Sequence, residues 1–259
     1  MTDKNIYPFK IGDFECLSIS DGTIIVPDTV TPRPFNPADP KSGLVMDTNC
    51  LLIQAGRRKI LVDTGCGKWF GEKSGKLVAN LNAAGISTSE VDTVVITHAH
   101  GDHIGANADS EGKPVFGNAR YIFHRDEWQY WTEKLKATAD GPNDSLSMTR
   151  HNLLSIRDRV DLIEDKATIV PGIETALVPG HTPGHVAFYS AQAHSVFTGD
   201  ALFQGSIGRT DLPGGDYDRL IRSIRESLLT LPDDTVVYPG HGPSTTIGEE
   251  KQFNPFLTA

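Results

Sequence analysis

The sequence predicts an α/β fold, an αββα sandwich in which two mixed β-sheets lie face to face and are flanked by helices. Three observations carry that expectation. Short alternating runs punctuated by Gly and Asp open the chain, a comparable set recurs in the second half, and helical patterns are interspersed with both. Neither an internal repeat nor a domain-scale linker interrupts the 259 residues, so a single domain, 1–259, is expected.

In the first quarter, Phe14–Ser20, Thr23–Val26, Asp47–Gln54 and Lys59–Val62 read as four strands separated by turn formers. Pro27–Gly43 holds five prolines, which cannot donate to a ladder, and reads as an irregular surface loop able to cover a cleft. Ser74 stands as an N-cap before Leu77, Leu81 and Ala84 at helical spacing, with Gly85 as the stop. Val91–Thr97 (VDTVVIT) reads as a buried strand.

Arg120–His124 reads as a further strand, followed by a helix over Asp126–Leu135 that carries Trp128 and Trp131. The polar stretch Lys136–Ser147 breaks at Gly141 and Pro142. In the second half the strand pattern returns at Thr168–Val170, Thr175–Val178, Val186–Ser190 and Ser195–Thr198. A helix from Asp216 sets Tyr217, Leu220, Ile221, Ile224 and Leu228 on one face, and Thr235–Tyr238 supplies the last strand.

Composition narrows the function classes. Apolar residues at 38% and charged residues at 22% describe a soluble globular chain with a sizeable core. A formal charge of −9 gives phosphate neutralisation no support, so nucleic acid is not an expected partner. Cys16, Cys50 and Cys66 form no C-x-x-C pair and are odd in number, which argues against a disulfide framework and for a reducing compartment. Met1–Lys10 lacks the basic-then-apolar pattern of a leader, and no run approaches about 20 apolar residues, so a cytoplasmic protein without a membrane partner is expected.

The most specific feature is THAHGDH at Thr97–His103, directly after a predicted strand. In extended backbone, side chains two apart share a face, so His98, His100 and Asp102 can project together while His103 emerges in another direction. Imidazole nitrogens and carboxylate oxygens suit Zn, Mn or Fe, which need several such donors from different segments. Further donors follow later strands: His181 in PGHTPGH, Asp200 in FTGD and His241 in YPGHGP, each among Gly and Pro that permit tight turns.

With these residues the sequence resembles the metallo-β-lactamase-fold hydrolases, whose H-x-H-x-D-H signature and three later ligands occur here in order. The resemblance spans nearly the whole chain. It implies that His98, His100 and His181 hold one ion, that Asp102, His103 and His241 hold a second, and that Asp200 bridges them. Asp63 in VDTG would orient ligand geometry from behind, and His185, four residues past His181, is a further residue of that kind. Asp102 and Asp200 are the candidate catalytic residues.

The implied cofactors are two divalent metal ions, zinc first, with iron or manganese as alternatives. Set against Asp102, Asp200 and a bridging hydroxide, two such ions leave a charge of about +1 with neutral histidines, a centre that attracts electron-rich oxygen. A hydroxide bridging the ions would attack an activated carbonyl. A G-x-S-x-G elbow is therefore not required.

Two resemblances divide the substrate question. The carboxy-terminal third, TGDALFQGSIGRTDLPGGD and YPGHGPSTTIGEEKQFNPFL, resembles single-domain glyoxalase II, the hydroxyacylglutathione thioesterases. By position Arg209 is the candidate glutathione-binding residue; equally, it can tie down its loop by pairing with Asp211. The stretch after His241 leaves no room for the helical glutathione-binding domain of larger glyoxalases.

The amino-terminal two thirds, with IGDFECLSISDGTIIVP and KPVFGNARYIFHRDEWQYWTE, resemble lactonases and methyl parathion hydrolase-like enzymes. A small-molecule thioester is thus expected narrowly ahead of a lactone, ester or organophosphate. β-Lactamase side activity, a persulfide dioxygenase sharing GRTD, and a non-catalytic metal-binding protein rank below. A monomer or homodimer is expected. Phe123, Trp128, Tyr130 and Trp131 read as helix and strand core sooner than as an acyl pocket.

Overall fold

The computed structural model describes residues 5–26, 44–138 and 146–258. The proline-rich stretch Pro27–Gly43 lies outside these residues, as does the Gly141–Pro142 break.

The first sheet contains seven strands in sequential order: β1 (Ile6–Ile11), β2 (Phe14–Val26), β3 (Leu44–Ala55), β4 (Arg58–Val62), β5 (Thr93–Val95), β6 (Arg120–His124) and β7 (Val160–Ile163). Pairing is antiparallel from β1 to β4 and parallel from β4 to β7. The second sheet uses β8 (Thr168–Val170), β9 (Ile173–Leu177), β10 (Val186–Ser190) and β11 (Ser195–Gly199). A small hairpin, β12 (Leu202–Phe203) with β13 (Ser206–Ile207), precedes β14 (Val236–Pro239) and β15 (Thr245–Thr246), which complete the order β15-β14-β11-β10-β9-β8. Only β11 and β14 run parallel within it.

Alternation along the strands sorts the core into three layers. Leu51, Ile53, Ile60, Val62 and Val95 point toward Val186, Phe188 and Phe197 and fill the space between the sheets. Their neighbours Leu52, Leu61 and Val94 face outward onto helices α1 (Leu77–Ala83), α3 (Arg125–Ala137) and α4 (Ser147–Leu154). On the far side Ala187, Val196 and Val237 pack against the helix α5 (Tyr217–Ser223), its π-helical continuation Ile224–Leu228, and α6 (Ile247–Phe253). Helix, sheet, sheet and helix layers therefore stack as the αββα sandwich expected from the sequence.

Several elements differ in detail from that expectation. The two opening runs are one strand, β2, with an irregularity between Ser20 and Gly22 in place of a turn. Ser74 does not cap α1: its hydroxyl binds the Gly71 carbonyl at 3.1 Å, and the Leu77 N–H is taken at 2.8 Å by the distant Asp21 carboxylate. Tyr217 lies on the open side of its helix at 48% exposure, while Leu220, Ile224 and Leu228 are buried. Among the described residues, no helix is long and apolar enough to cross a membrane.

Candidate metal centre

The expected donors sit at strand ends and converge. β5 leads through Ile96 and Thr97 to His98; α2 (Gly101–Ile104) carries Asp102 and His103; His181, Asp200 and His241 follow β9, β11 and β14. Two groups form, His98 with His100 and His181, and Asp102 with His103, Asp200 and His241, each with donor atoms within 4.8 Å of one another. Simple alternation sets Asp102 beside His98 and His100. The backbone is extended only through His100 (φ −71°, ψ 156°) and turns helical at Gly101, which carries Asp102 across to the group containing His103.

In the first group, His181 Nε2 lies 2.9 Å from His100 Nδ1 and 3.1 Å from His98 Nε2. In the second, His241 Nε2 stands 3.3 Å from Asp102 Oδ2 and 3.2 Å from Asp200 Oδ2, while His103 Nε2 is 3.4 Å from Asp200 Oδ1. Asp200 Oδ2 also reaches to 3.9 Å from His181 Nε2, so this carboxylate joins the two groups.

Hydrogen bonds at the outer nitrogens fix the tautomers. His181 Nδ1 donates to the Arg209 carbonyl and His241 Nδ1 to the Asp47 carbonyl, both at 2.7 Å. His103 Nδ1 donates to Asp63 Oδ2 at 2.8 Å. Thr97 Oγ1 gives its proton to Asp63 Oδ2 at 2.8 Å and so accepts from His98 Nδ1 at 3.0 Å. Each of these four rings is left with a lone pair on Nε2, directed inward.

Lone pairs brought together this way repel unless a cation lies between them. His103 Nε2, His241 Nε2 and Asp200 Oδ1 are buried with no hydrogen-bond partner, a cost of about 1–3 kcal/mol each if left unmet. Nitrogen donors with carboxylate oxygens are the set that divalent transition ions take, so the residues present fit such ions.

The electrostatics agree. Burial acts to lower the His241 pKa, but Asp200 and Asp102 outweigh it and raise it to about 10. For His103 burial is likewise overcome by Asp200, Asp63 and Asp102, which hold it well above the usual histidine value. Burial and neighbouring imidazoles push His98 well down, and burial with His181 takes His100 to about 3. The second group thus demands positive charge, which a cation supplies without protonating the rings.

Around the donors, Asp63 is held by Thr97 N–H at 2.8 Å to Oδ1 and is itself at φ 59°. His185 lies outside both groups: its Nε2 accepts the Asp200 N–H at 3.1 Å. The Arg209 guanidinium is paired with Asp211, Nε to Oδ1 at 2.7 Å and Nη2 to Oδ2 at 2.6 Å, and the residue's backbone carbonyl accepts from His181 Nδ1. Phe123 and Trp131 are buried in the outer core with Trp128 and Tyr130 packed on it, and Trp131 also stands 6.0 Å from the His100 ring.

Two buried carboxylates had no sequence signal. Asp21 accepts from Cys66 N–H at 2.8 Å and Gly75 N–H at 3.1 Å, fixing the loop behind Asp63. Glu127, on α3, accepts from the loops that bear His98, His100 and His181.

Residues 43–241 match the metallo-beta-lactamase superfamily. A probable metallo-hydrolase of Bacillus subtilis, YqgX, is 41% identical over 170 residues, covering 63% of this chain and 74% of the relative. The hydroxyacylglutathione hydrolase GloC of Haemophilus influenzae is 39% identical over 172 residues, covering 64% and 76%. Among solved structures, the dizinc quorum-quenching lactonase AidC superposes with a TM-score of 0.77 at 24% identity, covering 92% of this chain and 91% of that one. The di-iron-bound form of TTHA1623 gives 0.60 at 31% identity, covering 88% and 100%.

Fold and relatives together define a metal-dependent hydrolase. The chain belongs to the metallo-beta-lactamase superfamily.

Proposed function

We propose that the protein is a dinuclear metallo-hydrolase that cleaves an activated carbonyl, with a thioester of the hydroxyacylglutathione type as its substrate. The observation that carries the reading is the convergence of seven donors into two groups joined at Asp200. His98, His100 and His181 would hold one ion and Asp102, His103 and His241 the other, with Asp200 shared and zinc the favoured metal over iron or manganese. When bound, such ions lower the pKa of water to about 7 and polarise the acyl oxygen.

The chain's own residues supply the rest. Asp102 is the more open carboxylate, its side chain 16% exposed against 9% for Asp200, and would be the one to accept a proton. Asp200 balances charge at the junction of the two groups. Asp63, Thr97 and the carbonyls of Asp47 and Arg209 keep the rings in the ligating tautomer. The likeness to GloC favours the glutathione thioester. Three unpaired thiols fit a cytoplasmic setting.

Parallel initial rates on S-lactoylglutathione, a homoserine lactone, a phosphotriester and a cephalosporin test the substrate. The thioester is expected to turn over fastest. A lactone rate far above it would reverse the assignment.

A further inference from the structure

Glu127 is 1% exposed and belongs to neither donor group. Its Oε1 accepts from the Ala99 N–H and from Trp131 Nε1, both at 2.8 Å. Its Oε2 accepts from Thr182 Oγ1 at 2.7 Å and from the Gly184 N–H at 2.9 Å. Ala99 lies between His98 and His100, and Thr182 follows His181, so one carboxylate ties together the two segments that supply the three-histidine group. The approach is close: a Cβ on Gly184 would fall 2.2 Å from the Glu127 backbone nitrogen.

The chemistry of the four partners is one-sided, since every one of them donates. A carboxylate satisfies all four. A glutamine offers one oxygen and turns an NH2 group against the other pair: against Ala99 N–H and Trp131 Nε1 both donors are left buried and unpaired, and against Gly184 N–H and Thr182 the N–H is, while the hydroxyl can turn to accept. By contrast, the second group is held from elsewhere, through Asp63 at His103 and the Asp47 carbonyl at His241.

We infer that Glu127 is the positioning residue of the three-histidine subsite, clamping the His98–His100 strap to the His181 loop at the separation a single ion needs. The inference rests on the two-ion reading above. Loss of partners that orient metal ligands typically weakens affinity about 10- to 100-fold, and here the loss should fall on one subsite only.

The test uses wild type, Glu127→Gln, and Thr182→Val as a milder variant that removes one of the four donors. Each is stripped with a chelator and titrated with Co2+, following ligand-field absorption and bound metal per chain. Glu127→Gln is expected to weaken the three-histidine subsite about 10- to 100-fold, with a smaller shift in the same direction for Thr182→Val. The Asp102–His103–His241 subsite should keep its wild-type affinity in both. Equal weakening of both subsites, or no weakening in either variant, overturns the inference. The two readings fail separately: a wild-type chain that takes up a single ion rejects the two-ion reading, whereas two ions in wild type and an undiminished first subsite in the variants reject only the role of Glu127.

Discussion

Asp63 Oδ2 lies 2.8 Å from His103 Nδ1, and the same oxygen accepts the Thr97 hydroxyl at 2.8 Å. One carboxylate therefore sets the tautomer of a ring in the second donor group directly, and that of His98 in the first through Thr97. Asp63→Asn replaces one acceptor oxygen with a donor and leaves His103 free to protonate Nε2. Zinc affinity measured by competition with a chromophoric chelator should drop about 10- to 100-fold. Wild-type affinity in the variant would show that the contact is incidental.

The backbone at Gly240 presses on the second group. A Cβ there would sit 2.5 Å from Asp200 Oδ1 and 3.0 Å from His103 Cε1, closer than packing allows. Gly240→Ala should displace both ligands and lose one ion per chain, while secondary structure measured by circular dichroism is unchanged. Retention of both ions at full affinity would contradict the geometry.

Removing donors outright should be harsher. Asp200→Asn takes the shared charge from both groups, and His103→Ala opens the second. Each is expected to abolish metal-dependent hydrolysis even at saturating zinc. Near-normal turnover in metal-loaded variants would contradict the ligand assignment.

The cysteines are expected to be inert. All three are buried, and burial pushes Cys16 up to about 12 and Cys50 and Cys66 well above the ordinary thiol value. The thiolate is the reactive form, so at pH 8 native protein should react with a disulfide reagent only slowly, and all three thiols should react at once after unfolding in guanidinium. A thiol that labels within seconds in the native state would place it on an opening segment.

The donors were legible because four of the seven lie within Thr97–His103 and the other three each follow a strand. Such a pattern survives in one dimension. Asp63 was readable from its place at the end of β4. Glu127 was not, because its partners Ala99 and Thr182 are 28 and 55 residues away and a glutamate in the first turn of a helix is ordinary in itself. Asp21 is hidden in another way, since beside Gly22 it reads as a turn former between two strand runs.

In the fold, the inner strands announce themselves by apolar runs, but the two edges of the first sheet do not. β1 contains Pro8, which an edge strand tolerates and an interior one does not. β7, at the opposite edge, exposes Asp161 and Leu162 and so lacks a buried strand's run. Grouping Asp102 with His98 by alternation failed because the periodicity changes at Gly101. Strand arithmetic ends where helix α2 begins.

Diffraction at the zinc absorption edge, on crystals of the zinc-loaded protein, would locate the ions themselves. Two anomalous peaks per chain are expected, one among His98, His100 and His181 and one among Asp102, His103 and His241, with Asp200 in contact with both. A single peak, or peaks away from these side chains, would contradict the two-ion reading.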